Sequence, residues 1–140
     1  MVFTPGKGVG LRNVGSYQIS GHPYVTGSRI DTNGEIEVTF PYVTREFTVI
    51  ASGSTQGSGA GPNLRVHFNS TSSAGRVVDG HHYITLQKDD QAYTFHTKCS
   101  KVYISCASNG GGDSGFEVIA NLTGISTAQM YTLTGSGLTD

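Results

Sequence analysis

From about residue 17 onward, apolar residues fall on alternate positions, in runs too short for helices and separated by turn residues. Ile36, Val38 and Phe40 alternate with Glu35, Glu37 and Thr39; Leu64, Val66 and Phe68 alternate with Arg65, His67 and Asn69. Phe116, Val118, Ala120 and Leu122 likewise alternate with Glu117, Ile119 and Asn121. Successive side chains of a strand point to opposite faces, so a period of two is the mark of a strand with one buried face. Residues 47–51 and 92–97, the pair Ile84 and Leu86, and the trio Val102, Ile104 and Cys106 suggest further strands, and Tyr131 with Leu133 a closing one. Eight or so short strands without a helical stripe make the chain all-β. The expected fold is a single antiparallel β-sandwich over residues 16–140, of jelly-roll or immunoglobulin-like kind.

The turns carry their own chemistry. Asn33-Gly34 precedes the Ile36 run, and both residue types tolerate the positive φ of a tight hairpin turn, so a hairpin is expected there. Pro41 cannot donate to a ladder, which places a strand break or bend before residues 47–51. Asp89-Asp90 reads as a hairpin tip, and residues 98–101 are open to two readings, a second hairpin turn or part of an extended run. The stretches 52–62 and 70–80 are rich in Gly and Ser and read as long exposed loops.

Residues 1–15 carry Pro5, Gly6, Gly8, Gly10 and Gly15 among scattered apolar residues, too few for an element of their own. An extended N-terminal arm is expected, with Val2, Phe3, Val9 and Leu11 as inter-subunit contacts. Burying each of these four on a neighbour contributes roughly 1.5–3 kcal/mol. Fixing the backbone costs about 1–2 kcal/mol per residue, so the arm orders only where backbone pairing with the neighbour adds to that burial.

Composition narrows the function classes. Charged residues are only 14% of the chain, and 9 Lys plus Arg stand against 10 Asp plus Glu. No basic cluster supplies the several phosphate contacts that nucleic-acid binding needs, so nucleic acid is not an expected partner. The N-terminus lacks a charged-then-apolar signal pattern and no run of about 18 apolar residues occurs, so neither a membrane span nor a secretory leader is expected.

Gly112-Asp113-Ser114-Gly115 matches four letters of the nucleophile motif of chymotrypsin-like proteases before Phe116 breaks it. That mechanism needs a histidine base oriented by a buried aspartate. His22, His67, His81, His82 and His96 all lack the Ala-His-Cys context of that family. Asp-Ser-Gly is ordinary turn chemistry, and Ser114 is expected to be structural. No catalytic residue and no cofactor is expected.

His67 and His96 fall on the polar faces of their strands. A zinc site from three histidines is geometrically conceivable, but adjacent His81 and His82 cannot both face inward on a regular strand, and no metal is expected. Cys99 and Cys106, the only cysteines, lie an odd number of residues apart. On one strand they face opposite ways; with a turn at residues 98–101, Cys99 sits at its tip. Neither arrangement brings their Cα atoms within the 7 Å or so a disulfide needs, so two free thiols are expected, Cys106 in the core.

The segments "GSYQISGHPYVTGS" (15–28), "LRVHFNS" (64–70), "HHYITL" (81–86) and "YTLTGSGLTD" (131–140) are similar to those of small virion structural proteins of tailed bacteriophages, including phages of marine bacteria and cyanobacteria. The resemblance is spread over most of the chain and rests on no chemical motif. It implies a capsid decoration or cement protein, made in the host cytoplasm and located in the virion. Its partners would be copies of itself, as a trimer at local threefold positions, and the major capsid protein. The competing readings are another virion part, such as a tail or head fibre, and a carbohydrate-binding or adhesion module. Seven tyrosines could supply stacking faces for the latter, though Trp is absent.

Overall fold

A computed structural model of the chain describes residues 21–31, 33–54, 63–71, 81–107, 113–131 and 133. Among these residues eight strands run in order: β1 (His22–Ile30), β2 (Glu35–Thr39), β3 (Tyr42–Ser54), β4 (Leu64–His67), β5 (Ile84–Leu86), β6 (Ala92–Phe95), β7 (Lys101–Cys106) and β8 (Ser114–Ser126). They form two four-stranded sheets with strand orders β1-β8-β3-β6 and β2-β7-β4-β5, and every pairing is antiparallel. The chain crosses from one sheet to the other at each connection except β4 to β5. That order is a jelly roll, which decides between the two sandwich topologies left open by the sequence. The arm residues Val2, Phe3, Val9 and Leu11 lie outside the described residues, as do most of the two Gly/Ser-rich stretches.

The core lies between the sheets, built by the residues whose alternation marked them. Val38 and Phe40 enter from the β2 side; Phe47, Val49 and Ala51 from β3; Leu64 and Val66 from β4; Val102, Ile104 and Cys106 from β7; Phe116, Val118, Ala120 and Leu122 from β8. Phe47 stacks on Phe95 with ring centroids 4.8 Å apart and also meets Phe40 and Phe68 at 5.8 and 6.3 Å. Aromatic pairs at such separations add to the burial of their area, so this cluster anchors one end of the sandwich.

The hairpins expected at Asn33-Gly34 and Asp89-Asp90 are absent, as is the alternative hairpin at residues 98–101. β1 pairs β8 and β2 pairs β7, so Asn33-Gly34 is a corner between sheets. Asn33 alone of the pair takes a positive φ, 64°, and the corner is tied to the end of β7 through Asn33 N–H to Cys106 O and Cys106 N–H to Gly34 O. Asp90, with φ 61°, carries the chain from β5 in one sheet to β6 in the other. A residue that tolerates positive φ serves a corner as well as a hairpin, and turn chemistry alone does not say which strand comes next in space.

Residues 98–101 likewise cross between sheets, and Cys99 is fully buried there rather than exposed at a tip. Thr44 holds the crossing: its hydroxyl donates to Thr97 O at 2.7 Å and accepts from Cys99 N–H at 3.1 Å, while its own N–H donates to Cys99 O. Burial pushes the Cys99 thiol up to about 11. Both cysteines are free thiols, and Cys106 lies in the core. After Pro41 the chain enters β3 at once, ahead of the expected start. Among the described residues no closing strand forms at Tyr131 and Leu133; β8 ends in a 3-10 turn, Thr127–Gln129, capped by the Ser126 hydroxyl, and Leu133 packs on the core.

Candidate functional site

Ser114 begins β8 and is buried. Its hydroxyl accepts from Asn63 N–H at 3.2 Å and from the Cys106 thiol at 3.5 Å. The hydroxyl thus tethers the start of β8 to the strands beneath it, and no histidine bond to it is found among the described residues. The other histidines are scattered: His96 beside β6 pairs with Glu46 at 3.1 Å, and exposed His81 stacks on Tyr83. Among the described residues no three His, Cys, Asp or Glu side chains come together as metal ligands.

The outer face of the β1-β8-β3-β6 sheet is one candidate surface. Val25 lies opposite Ile119, which lies opposite Thr48, which lies opposite Thr94. This row crosses all four strands without a charge, and Val25 and Ile119 are 71% and 47% exposed. Thr48 and Thr94 bond each other through their hydroxyls at 2.8 Å, which leaves their methyl groups to extend the apolar row. Glu117 lies on the next row, and Glu46, held by Asn121 and His96, lies on the other side.

The outer face of the β2-β7-β4-β5 sheet is different, because two of its polar residues, His67 and Ser105, are buried. His67 at the end of β4 is 1% exposed, which corrects its expected place on a solvated face. Tyr103, its register partner on β7, stacks parallel to it with centroids 6.1 Å apart. The His67 Nδ1 lies 2.7 Å from Asn69 O and its Nε2 lies 2.9 Å from Ser105 Oγ. Glu35 Oε2 is 3.8 Å from the same Nε2. Glu35 is itself held by Ser70 Oγ at 2.9 Å, Thr71 N–H at 3.1 Å and Thr71 Oγ1 at 2.8 Å.

A carbonyl oxygen can only accept, so Nδ1 carries the hydrogen that goes to Asn69. Burial lowers the His67 pKa from its ordinary value, outweighing Asn69 and Glu35, which raise it. The ring is therefore neutral at pH 7, Nε2 presents a lone pair, and the Ser105 hydroxyl donates into it. Ser105, 8% exposed, lines a cleft of about 250 Å³ together with Glu35, Arg65 and Thr71. No motif in the sequence singles out Ser105 or Glu35 as site residues. Their one signal is a place on the outward positions of β7 and β2, where Ser and Glu are ordinary.

A second concavity of about 300 Å³ lies beside Asn69, Ser100 and Lys101, with Tyr131, 63% exposed, on its rim. Lys101 pairs with Glu37 at 3.8 Å, and burial, with Glu37 close by, pushes Tyr103 up to about 12.

No family model matches the chain, and no curated protein matches it. Among solved structures, the crystal structure of Yersinia pseudotuberculosis-derived mitogen is similar at a TM-score of 0.37 and 12% sequence identity, over 73% of this chain and 86% of that one.

Proposed function

We propose that the chain is a virion structural protein, a capsid decoration or cement protein that contacts copies of itself, as a trimer, and the major capsid protein. The observation that carries this is the strand order β1-β8-β3-β6 over β2-β7-β4-β5, a jelly roll. Viral capsid domains use that topology, as do lectins and cupins, so the link from fold to role is one of analogy. The uncharged row from Val25 to Thr94 adds a physical reason. A sheet face with two well-exposed aliphatic side chains suits burial against a neighbour, which removes apolar area from water without desolvating a charge.

The test is addition of the purified full chain to phage heads assembled without it, followed by imaging. Saturable binding with density at threefold or quasi-threefold positions is expected. Absence of binding at micromolar concentration overturns the assignment. A carbohydrate-binding module is the second reading, favoured by the exposed Tyr131 ring beside Asn69, Ser100 and Lys101. Selective binding on a glycan array, lost on Tyr131→Ala, would decide for it.

A further inference from the structure

The buried cluster on the outer face of the β2-β7-β4-β5 sheet brings together a hydroxyl, a neutral imidazole, a carboxylate and a cleft, from separate parts of the chain. We propose that Ser105 is an activated nucleophile, with His67 as its general base, that opens a short acyl ester seated in the cleft beside Glu35, Arg65 and Thr71.

Three geometric requirements of such a pair are met. The nucleophile must donate to the base, and Ser105 Oγ is 2.9 Å from His67 Nε2. The base must be fixed in the tautomer that leaves that nitrogen free, and the Asn69 carbonyl does so at 2.7 Å. The charge that appears on the ring must be met, and Glu35 Oε2 waits 3.8 Å from the nitrogen that receives the proton. Three donors from Ser70 and Thr71 fix that carboxylate, so it need not reorganise.

Ser105 lines the cleft, although most of its surface is covered. Arg65, the register partner of Ser105 on β4, lines the same cleft with its guanidinium centred 4.7 Å over the Tyr83 ring, so the cleft carries a cation on one wall. A cleft of about 250 Å³ takes a small acyl group rather than a polymer chain.

In the first step Ser105 Oγ forms a bond to the ester carbonyl carbon while its proton passes to His67 Nε2. The carbon–oxygen bond to the alcohol then breaks, and the leaving oxygen takes that proton from His67. Water repeats the sequence on the acyl-serine: it gives a proton to His67, adds to the carbonyl, and the proton returns to Ser105 as the carboxylic acid departs. No oxidant or further reactant is needed. The site is independent of the shell role, so loss of either proposal leaves the other standing.

The experiment treats the full chain with a fluorophosphonate probe, and separately with p-nitrophenyl acetate, and maps the modified serine by peptide mass spectrometry. Labelling at Ser105 is expected, with Ser114 unmodified. Ser105→Ala should abolish it and His67→Asn should slow it by about 10²-fold or more, while Ser114→Ala should leave it unchanged. The rate should climb with pH as His67 loses its proton, with a midpoint below the ordinary histidine value. The charged and polar groups facing that ring are Glu35 from β2, Tyr103 and Ser105 from β7, and Arg65 on its own strand. An unlabelled Ser105 in the wild-type chain overturns the proposal whatever the variants do. So does labelling at Ser105 that persists at full rate in a folded His67→Asn protein; such a network would serve only to hold residues 69–71 on the sheet.

Discussion

At the scale of single residues, His67 links the protonation state of the molecule to its stability. Its folded pKa lies below the ordinary value of about 6.5 because burial disfavours the charged ring. As pH falls below about 6.5, the unfolded chain takes up a proton at this position before the folded one does. Stability is therefore lost with falling pH, by at most about 1.4 kcal/mol per pH unit for one proton, until the depressed pKa is passed. Urea unfolding at about pH 7.5, 6.5 and 5.5 should show this slope in the wild-type chain. His67→Gln, which cannot titrate, should show a smaller one; equal slopes would mean that other groups carry the effect.

At the scale of elements, β1 depends on closeness to β8. A Cβ added at Gly27 would stand 2.8 Å from the Phe116 carbonyl oxygen, a backbone atom that cannot swing away. Gly27→Ala should therefore push β1 outward and cost about 1–3 kcal/mol, as overpacking does. Hydrogen exchange should show lost protection in β1 with β4 and β7 unaffected; unchanged β1 protection would refute the close fit.

The alternation along β2, β4 and β8 was legible because each has one face in the core, and Val38, Leu64, Val66 and Phe116 fell where the period placed them. Pairing was not legible. Asn33 announces a reversal, but whether Ile30 and Val38 meet in one sheet or face each other across the core is decided by β7 and β8, far along the chain. The candidate site was hidden for a related reason. His67 and Ser105 occupy positions that alternation assigns to solvent, and their burial comes from Tyr103 and residues 69–71, which the jelly roll brings over them.

At the scale of the whole molecule, the two sheets present unlike outer faces. One carries the buried polar cluster; the other carries the uncharged row through Val25 and Ile119. If that row is the contact to neighbours, charging it should separate assembly from folding. Val25→Asp combined with Ile119→Asp changes only exposed positions, so stability should stay within about 1 kcal/mol of the parent by thermal unfolding. Binding to undecorated heads should fall at least tenfold. Undiminished binding would move the contact to another surface.

The side-by-side placement of β1 and β8 also fixes how the molecule answers to force. His22 lies opposite Leu122 and Ile30 opposite Ser114, so a load applied between residues 22 and 126 grips β1 and β8 at the same end of their ladder. Loaded from that end, the rungs break in succession rather than sharing the load in shear. β1 is an edge strand, with β8 its only sheet partner among the described residues. Tension along that line would peel β1 away while β8, flanked on its other side by β3, stays in place. If the proposed shell role holds and the load enters at those two ends, the protein is a seam that yields progressively.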